Sequence, residues 1–125
     1  MKSDTAATDV QGLRILVVED TLLIAEVIAQ ELEDQGCTVI GPAARLDKGL
    51  ALAARSQLDG ALLDVNLAGE RCFPIADQLA SRAIPYIFLT GYRDSGIPPA
   101  YRQAPRLGKP FEPRALIELM ARSFR

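Results

Sequence analysis

From Leu13 onward, short apolar runs alternate with longer stretches in which apolar positions recur every three or four residues. The first pattern predicts strands and the second amphipathic helices, and their alternation predicts a βα repeat around one parallel sheet. Strands are expected over 14–18, 37–40, 60–63, 85–89 and 106–108. The run at 60–63 is apolar throughout, as suits a strand covered by helices on both faces. A helix over 21–35 follows from Ile24, Ile28 and Leu32, with Leu23 and Val27 beside them and Glu26, Gln30, Glu33 and Asp34 facing away. Gly36 is its expected C-cap. Further helices are expected over 46–56, 73–82 and 113–123, the last opened by Pro113 and carrying Leu116, Ile117, Met120 and Phe124 inward.

Several stretches depart from this rhythm. Gly41-Pro42 should stop the second strand, because proline cannot donate to a ladder. Residues 65–71 read as a loop with Gly69 as its flexible point. Between 91 and 105, Gly96, Pro98, Pro99 and Pro105 leave no window for a long helix, so that crossover should be short, irregular and mobile. Residues 1–12 are polar and aperiodic and read as a flexible leader, which leaves 13–125 as one domain.

Composition narrows the function classes. A net charge of −2 with scattered basic residues gives no footprint for nucleic acid. No apolar stretch approaches the ~20 residues needed to cross a bilayer, and the N-terminus lacks a secretory signal, so a cytoplasmic protein without membrane contact is expected. There is no histidine, and Cys37 and Cys72 form no C-x-x-C. Buried free thiols are the expected state of both.

The candidate chemistry lies at the ends of the apolar runs. Glu19 and Asp20 follow the first strand, Asp64 the third, Thr90 the fourth and Lys109 the fifth. In one parallel sheet these five side chains gather at the carboxyl edge, where open α/β sheets bind ligands. Three carboxylates placed together call for a compensating cation. Mg2+, or Mn2+ in its place, fits hard oxygen donors: Asp20 and Asp64 as direct ligands, Glu19 through water, and the backbone carbonyl of Asn66. Asp64 then becomes a candidate nucleophile forming an acyl phosphate, with the Lys109 ammonium and the Thr90 hydroxyl neutralising the phosphoryl oxygens. A cis Lys109-Pro110 bond would aim the ammonium inward, and the sequence leaves the isomer open. Each residue alone has an ordinary structural reading as a cap, turn or solvated charge; the conjunction favours the site.

The ordered strings V-V-E-D-T (17–21), L-L-D-V-N (62–66), F-L-T-G-Y (88–92) and K-P-F (109–111) make the chain resemble the receiver domain of two-component response regulators. The resemblance implies a flavodoxin-like doubly wound sheet of five parallel strands in the order 2-1-3-4-5. It also implies Asp64 as phosphoacceptor, Glu19 and Asp20 as the metal-binding acids, Thr90 as the switch hydroxyl and Lys109 as the phosphoryl contact. F-L-T-G-Y further resembles the FAT GUY subgroup. Two departures stand out: Arg106 replaces the aromatic switch residue usual three positions before the lysine, with Tyr92 as an alternative aromatic sensor or a loop anchor, and the proline-rich crossover after Tyr92 argues against dimerisation through the fourth helix face that many receivers use. The implied partners are a histidine kinase or histidine phosphotransfer protein and a downstream protein target. With the chain ending at Arg125, no output domain is expected, and the domain should not be an enzyme beyond its own phosphorylation and dephosphorylation. The alternatives are a receiver-like interaction domain that needs no phosphorylation and an aspartate-nucleophile phosphatase. The latter is disfavoured because Asn66 stands where a general acid would be wanted.

Overall fold

The computed structural model describes residues 9–91 and 96–125. Its elements are β1 (Arg14–Val18), α1 (Leu22–Asp34), β2 (Thr38–Ala43), α2 (Leu46–Arg55), β3 (Gly60–Asp64), β4 (Asn66–Leu67), β5 (Glu70–Arg71), α3 (Phe73–Ser81), β6 (Tyr86–Thr90), a 3-10 turn (Pro99–Tyr101), β7 (Arg106–Gly108) and α4 (Pro113–Phe124). Five strands form one parallel sheet in the order β2-β1-β3-β6-β7. This is the expected doubly wound order.

Alternation along the strands explains the two layers. Leu16, Val18, Ala61, Leu63 and Phe88 point to one face, where they meet Ala53 of α2 and Ile75, Ala76 and Leu79 of α3. Ile15, Val17, Leu62, Ile87 and Leu89 point to the other, against Ile28 and Leu32 of α1 and Leu116, Ile117 and Met120 of α4. Both faces are buried, so the central strands read as unbroken apolar runs. Each fully buried side chain of this kind contributes about 1.5–3 kcal/mol. Among the described residues, no helix is long and apolar enough to cross a membrane.

The structure departs from the sequence reading in four places. Packing begins before Leu13: Val10 is buried, and the Arg125 guanidinium donates to the carbonyls of Asp9 and Gln11. The rest of the expected leader, residues 1–8, lies outside the described residues. β2 continues through Gly41-Pro42 to Ala43, because it is an edge strand and its register with β1 slips between Leu16 and Val18. A proline at such a bulge forfeits no ladder bond. Residues 65–71 hold a two-stranded antiparallel hairpin rather than a loop, with Asn66 opposite Arg71 and Leu67 opposite Glu70. Leu23 and Val27, expected beside the inner face of α1, are exposed together with Leu22. The fourth crossover holds only the 3-10 turn among its described residues, as its prolines imply.

Gly60, at the start of β3, lies under the ring of Phe124, where an added Cβ would stand 2.6 Å from the ring carbons. Gly60→Ala should therefore lower stability by about 1–3 kcal/mol through overpacking. The check is a lower urea midpoint at unchanged m-value; an unmoved midpoint would mean that the end of α4 yields freely.

Candidate functional site

Four strands of the sheet deliver their ends to one edge. β1 runs into Glu19 and Asp20, β3 closes on Asp64, β6 on Thr90, and β7 leads directly into Lys109. Thr90 pairs with Gly108 across the ladder, and the Lys109 N–H donates to the Thr90 carbonyl at 2.8 Å. The lysine is thus fixed beside the threonine by backbone pairing. Lys109-Pro110 is cis, the isomer the sequence left open.

Glu19, Asp20 and Asp64 each present a carboxylate oxygen within 4.8 Å of the others. Glu19 and Asp64 are buried, at 1% and 4% exposure, and Asp20 is half-buried. The Lys109 ammonium reaches both buried acids, at 2.9 Å from Glu19 Oε1 and 3.2 Å from Asp64 Oδ2. Glu19 Oε2 accepts the Thr21 N–H at 3.1 Å. Asp20 Oδ2 accepts the Ala68 N–H from the hairpin turn at 2.8 Å, so this carboxylate reaches across the site.

The remaining sequence candidates fall at the margins. Asn66 is exposed; its N–H points to Asp64 Oδ1 at 3.3 Å and its side-chain oxygen accepts from Gly69. Arg106 is exposed on β7 and turns back to donate to the Arg102 carbonyl. Tyr92 lies outside the described residues. Pro110 is exposed and, with Lys109 and Phe111, borders an apolar groove completed by Leu23, Ile24, Val27 and Ile28.

Burial pushes the Asp64 pKa up to about 8, reinforced by hydrogen bonding to Glu19 and the Glu19 charge, while Lys109 opposes the rise. At Lys109, burial alone would lower the pKa, but the hydrogen bond to Glu19 and the charges of Asp64 and Glu19 outweigh it and the net shift is upward. Glu19 Oε1 is buried with that ammonium as its ion-pair partner. An all-oxygen donor set and an acid driven upward together suit a hard divalent cation.

Sequence reasoning missed the backbone donors. That Ala68 would serve Asp20 was invisible because Ala-Gly is a weak hairpin signal beside Asn-Gly or Asp-Gly. The hydrogen bond of Arg71 to the chain beyond β6, donated to the Gly96 carbonyl at 2.9 Å, had no local signature either. By contrast, both cysteines are buried as expected, and burial pushes the Cys37 thiol up to about 11.

Comparison with known proteins gives one consistent answer. The family model for the response regulator receiver domain matches residues 15–121. SdrG from Sphingomonas melonis Fr1 is 38% identical, with a TM-score of 0.77 over 88% of this chain and 95% of that one. The receiver domain of the sensor histidine kinase PA1611 from Pseudomonas aeruginosa PAO1, solved with magnesium coordinated in its active-site cleft, is 25% identical, with a TM-score of 0.74 over 89% of this chain and 96% of that one. An uncharacterized transcriptional regulatory protein of Bacillus subtilis, YbdJ, is 30% identical over 114 residues, 86% of this chain. The chain spans 48% of that relative's length.

The raised Asp64 pKa has a thermodynamic consequence. Between 3.8, its ordinary value, and about 8, the unfolded chain has released this proton while the folded chain keeps it. Folding stability therefore falls as pH rises through that window. The isosteric Asp64→Asn cannot titrate, so its stability should fall less between about pH 5 and about pH 8, by a difference on the order of a few kcal/mol. Urea titrations of both proteins in magnesium-free buffer make the comparison; parallel pH profiles would contradict it.

Proposed function

Because the chain belongs to the response regulator receiver domain family, we propose that it works as a phosphoryl-accepting switch with Asp64 as the acceptor. The observation that carries this reading is the Lys109 ammonium 3.2 Å from Asp64 Oδ2, inside a pocket where three carboxylates offer oxygens within 4.8 Å. Glu19, Asp20 and Asp64, with the Asn66 carbonyl, would hold Mg2+ or Mn2+. The cation, when bound, would favour the ionised Asp64 and draw charge from the phosphoryl oxygens.

The chain's own groups then divide the work. An Asp64 carboxylate oxygen attacks phosphorus in line with the departing imidazole nitrogen of a phosphohistidine donor. A P–O bond forms as the P–N bond breaks, and the electron pair of the broken bond returns to the ring. Lys109 exchanges part of its contact with the carboxylates for a phosphoryl oxygen, and the Thr90 hydroxyl donates to another. Thr90 is joined through its carbonyl to Lys109 and through its strand to the following crossover, so its engagement would be felt beyond the pocket.

The donor in this proposal is a histidine kinase or phosphotransfer protein, in the cytoplasm. It would approach over the exposed Leu22, Leu23 and Val27 of α1, whose groove shares Lys109 with the pocket. The readout would be contact with a downstream protein. The Phe88-Leu89-Thr90-Gly91-Tyr92 string supports placing the chain in the FAT GUY subgroup.

Incubation with radiolabelled acetyl phosphate tests the assignment. The wild type should take up acid-stable, base-labile label only when magnesium is present, and Asp64→Asn should take up none. Lys109→Ala should slow labelling by about 10²-fold, as expected for loss of one charge-stabilising donor. Label retained by a folded Asp64→Asn protein would reject Asp64 as the acceptor.

A further inference from the structure

The hairpin between β3 and α3 joins two regions that the sheet alone keeps apart. Its turn residues, Ala68 and Gly69, have φ of 51° and 92°. Positive φ at both central positions is what a tight two-residue hairpin turn demands, and alanine adopts it only when its surroundings impose it. Those surroundings are the acidic pocket: the Ala68 N–H donates to Asp20 at 2.8 Å, and the Asn66 N–H lies 3.3 Å from Asp64.

At its other end the hairpin holds the chain that follows β6. The Arg71 guanidinium donates to the Gly96 carbonyl at 2.9 Å and lies 5.5 Å from the centre of the Phe73 ring. Beneath it, Leu67 of the hairpin and Ile97 are buried in the same apolar cluster. Arg71 itself is exposed and has no place in the core.

We propose that Arg71 is a positioning residue for the pocket: by fixing the hairpin against Gly96 it holds the Ala68 N–H on Asp20, and so couples cation binding to the segment beyond Thr90. Asp20 has two oxygens. With Oδ2 held by the hairpin, the carboxylate keeps a set orientation, as metal ligands do when an outer donor orients them. Freed from Gly96, the hairpin would hold that orientation less firmly. The coupling also runs backwards, because whatever Arg71 does for cation affinity, the cation must do for the Arg71 contact.

This inference rests on reading the pocket as a cation site. The test uses the full chain and magnesium alone, comparing the wild type with Arg71→Ala by titration calorimetry and by amide resonances. Arg71→Ala should weaken magnesium binding by about 3- to 10-fold, in the range of couplings carried through intermediate residues. In the wild type, magnesium should shift the amide resonances of Gly96 and Ile97; at saturating magnesium in Arg71→Ala that response should fall by about half or more. An affinity unchanged by the substitution, or a Gly96 and Ile97 response equal to that of the wild type, overturns the inference and leaves the functional reading standing. A wild type that does not respond to magnesium overturns both.

Discussion

The Lys109 ammonium set between Glu19 and Asp64 is the interaction on which the rest of the site depends. Without it, two buried carboxylates and the half-buried Asp20 would face one another with no opposing charge. Even with it, burial and the neighbouring Glu19 push the Asp64 pKa up. A divalent cation would relieve a repulsion that the sheet does not allow the acids to escape.

That confinement comes from the fold. Ile15 to Val18 of β1 and every residue of β3 are buried, so neither strand can shift without opening both apolar layers. Asp64 ends β3, and the Glu19-Asp20 pair directly follows β1, both of them strands buried in the sheet. The groups around them sit on different supports: the hairpin turn is exposed, and the fourth crossover is reduced to a 3-10 turn among its described residues. The acids thus stand on or just beyond buried strands, while the groups around them stand on exposed segments.

How far the site was legible follows from the kind of signal each part leaves. The gathering of Glu19, Asp20, Asp64 and Lys109, with Thr90 at the end of the neighbouring strand, was readable because parallel strands all end at one edge, so a polar residue after an apolar run has a known destination. The sheet order matched what the family resemblance implied, and the want of a long helix among the described residues 96–105 was visible in its prolines. The hairpin was not, since its turn carries Ala-Gly and its strands are two residues each, too short for periodicity to register. Nor was the extension of β2 through Pro42, which depends on β2 lying at the sheet edge. The exposure of Leu23 and Val27 escaped for a similar reason: helical spacing says which residues share a face, but not how wide a strip of that face the sheet will cover.

Arg106 shows how the remaining architecture compensates for a missing ring. It pairs in register with Phe88, yet its side chain is exposed and bonded to the Arg102 carbonyl, so no buried ring follows Thr90 from that position. The aromatic mass lies instead against α3. Phe73 stacks on Tyr101 at 4.6 Å and meets Phe88 edge-on, while the Tyr101 hydroxyl donates to Asp77 at 2.7 Å. The 3-10 turn is thereby tied to α3 through Tyr101, and the hairpin leads into α3 through Cys72. Both segments beside the pocket converge on that helix at Phe73, whose ring has its centre 5.5 Å from the Arg71 guanidinium and stacks on Tyr101. The first turn of α3, rather than the position of Arg106, is where the hairpin and the 3-10 turn meet the packed core.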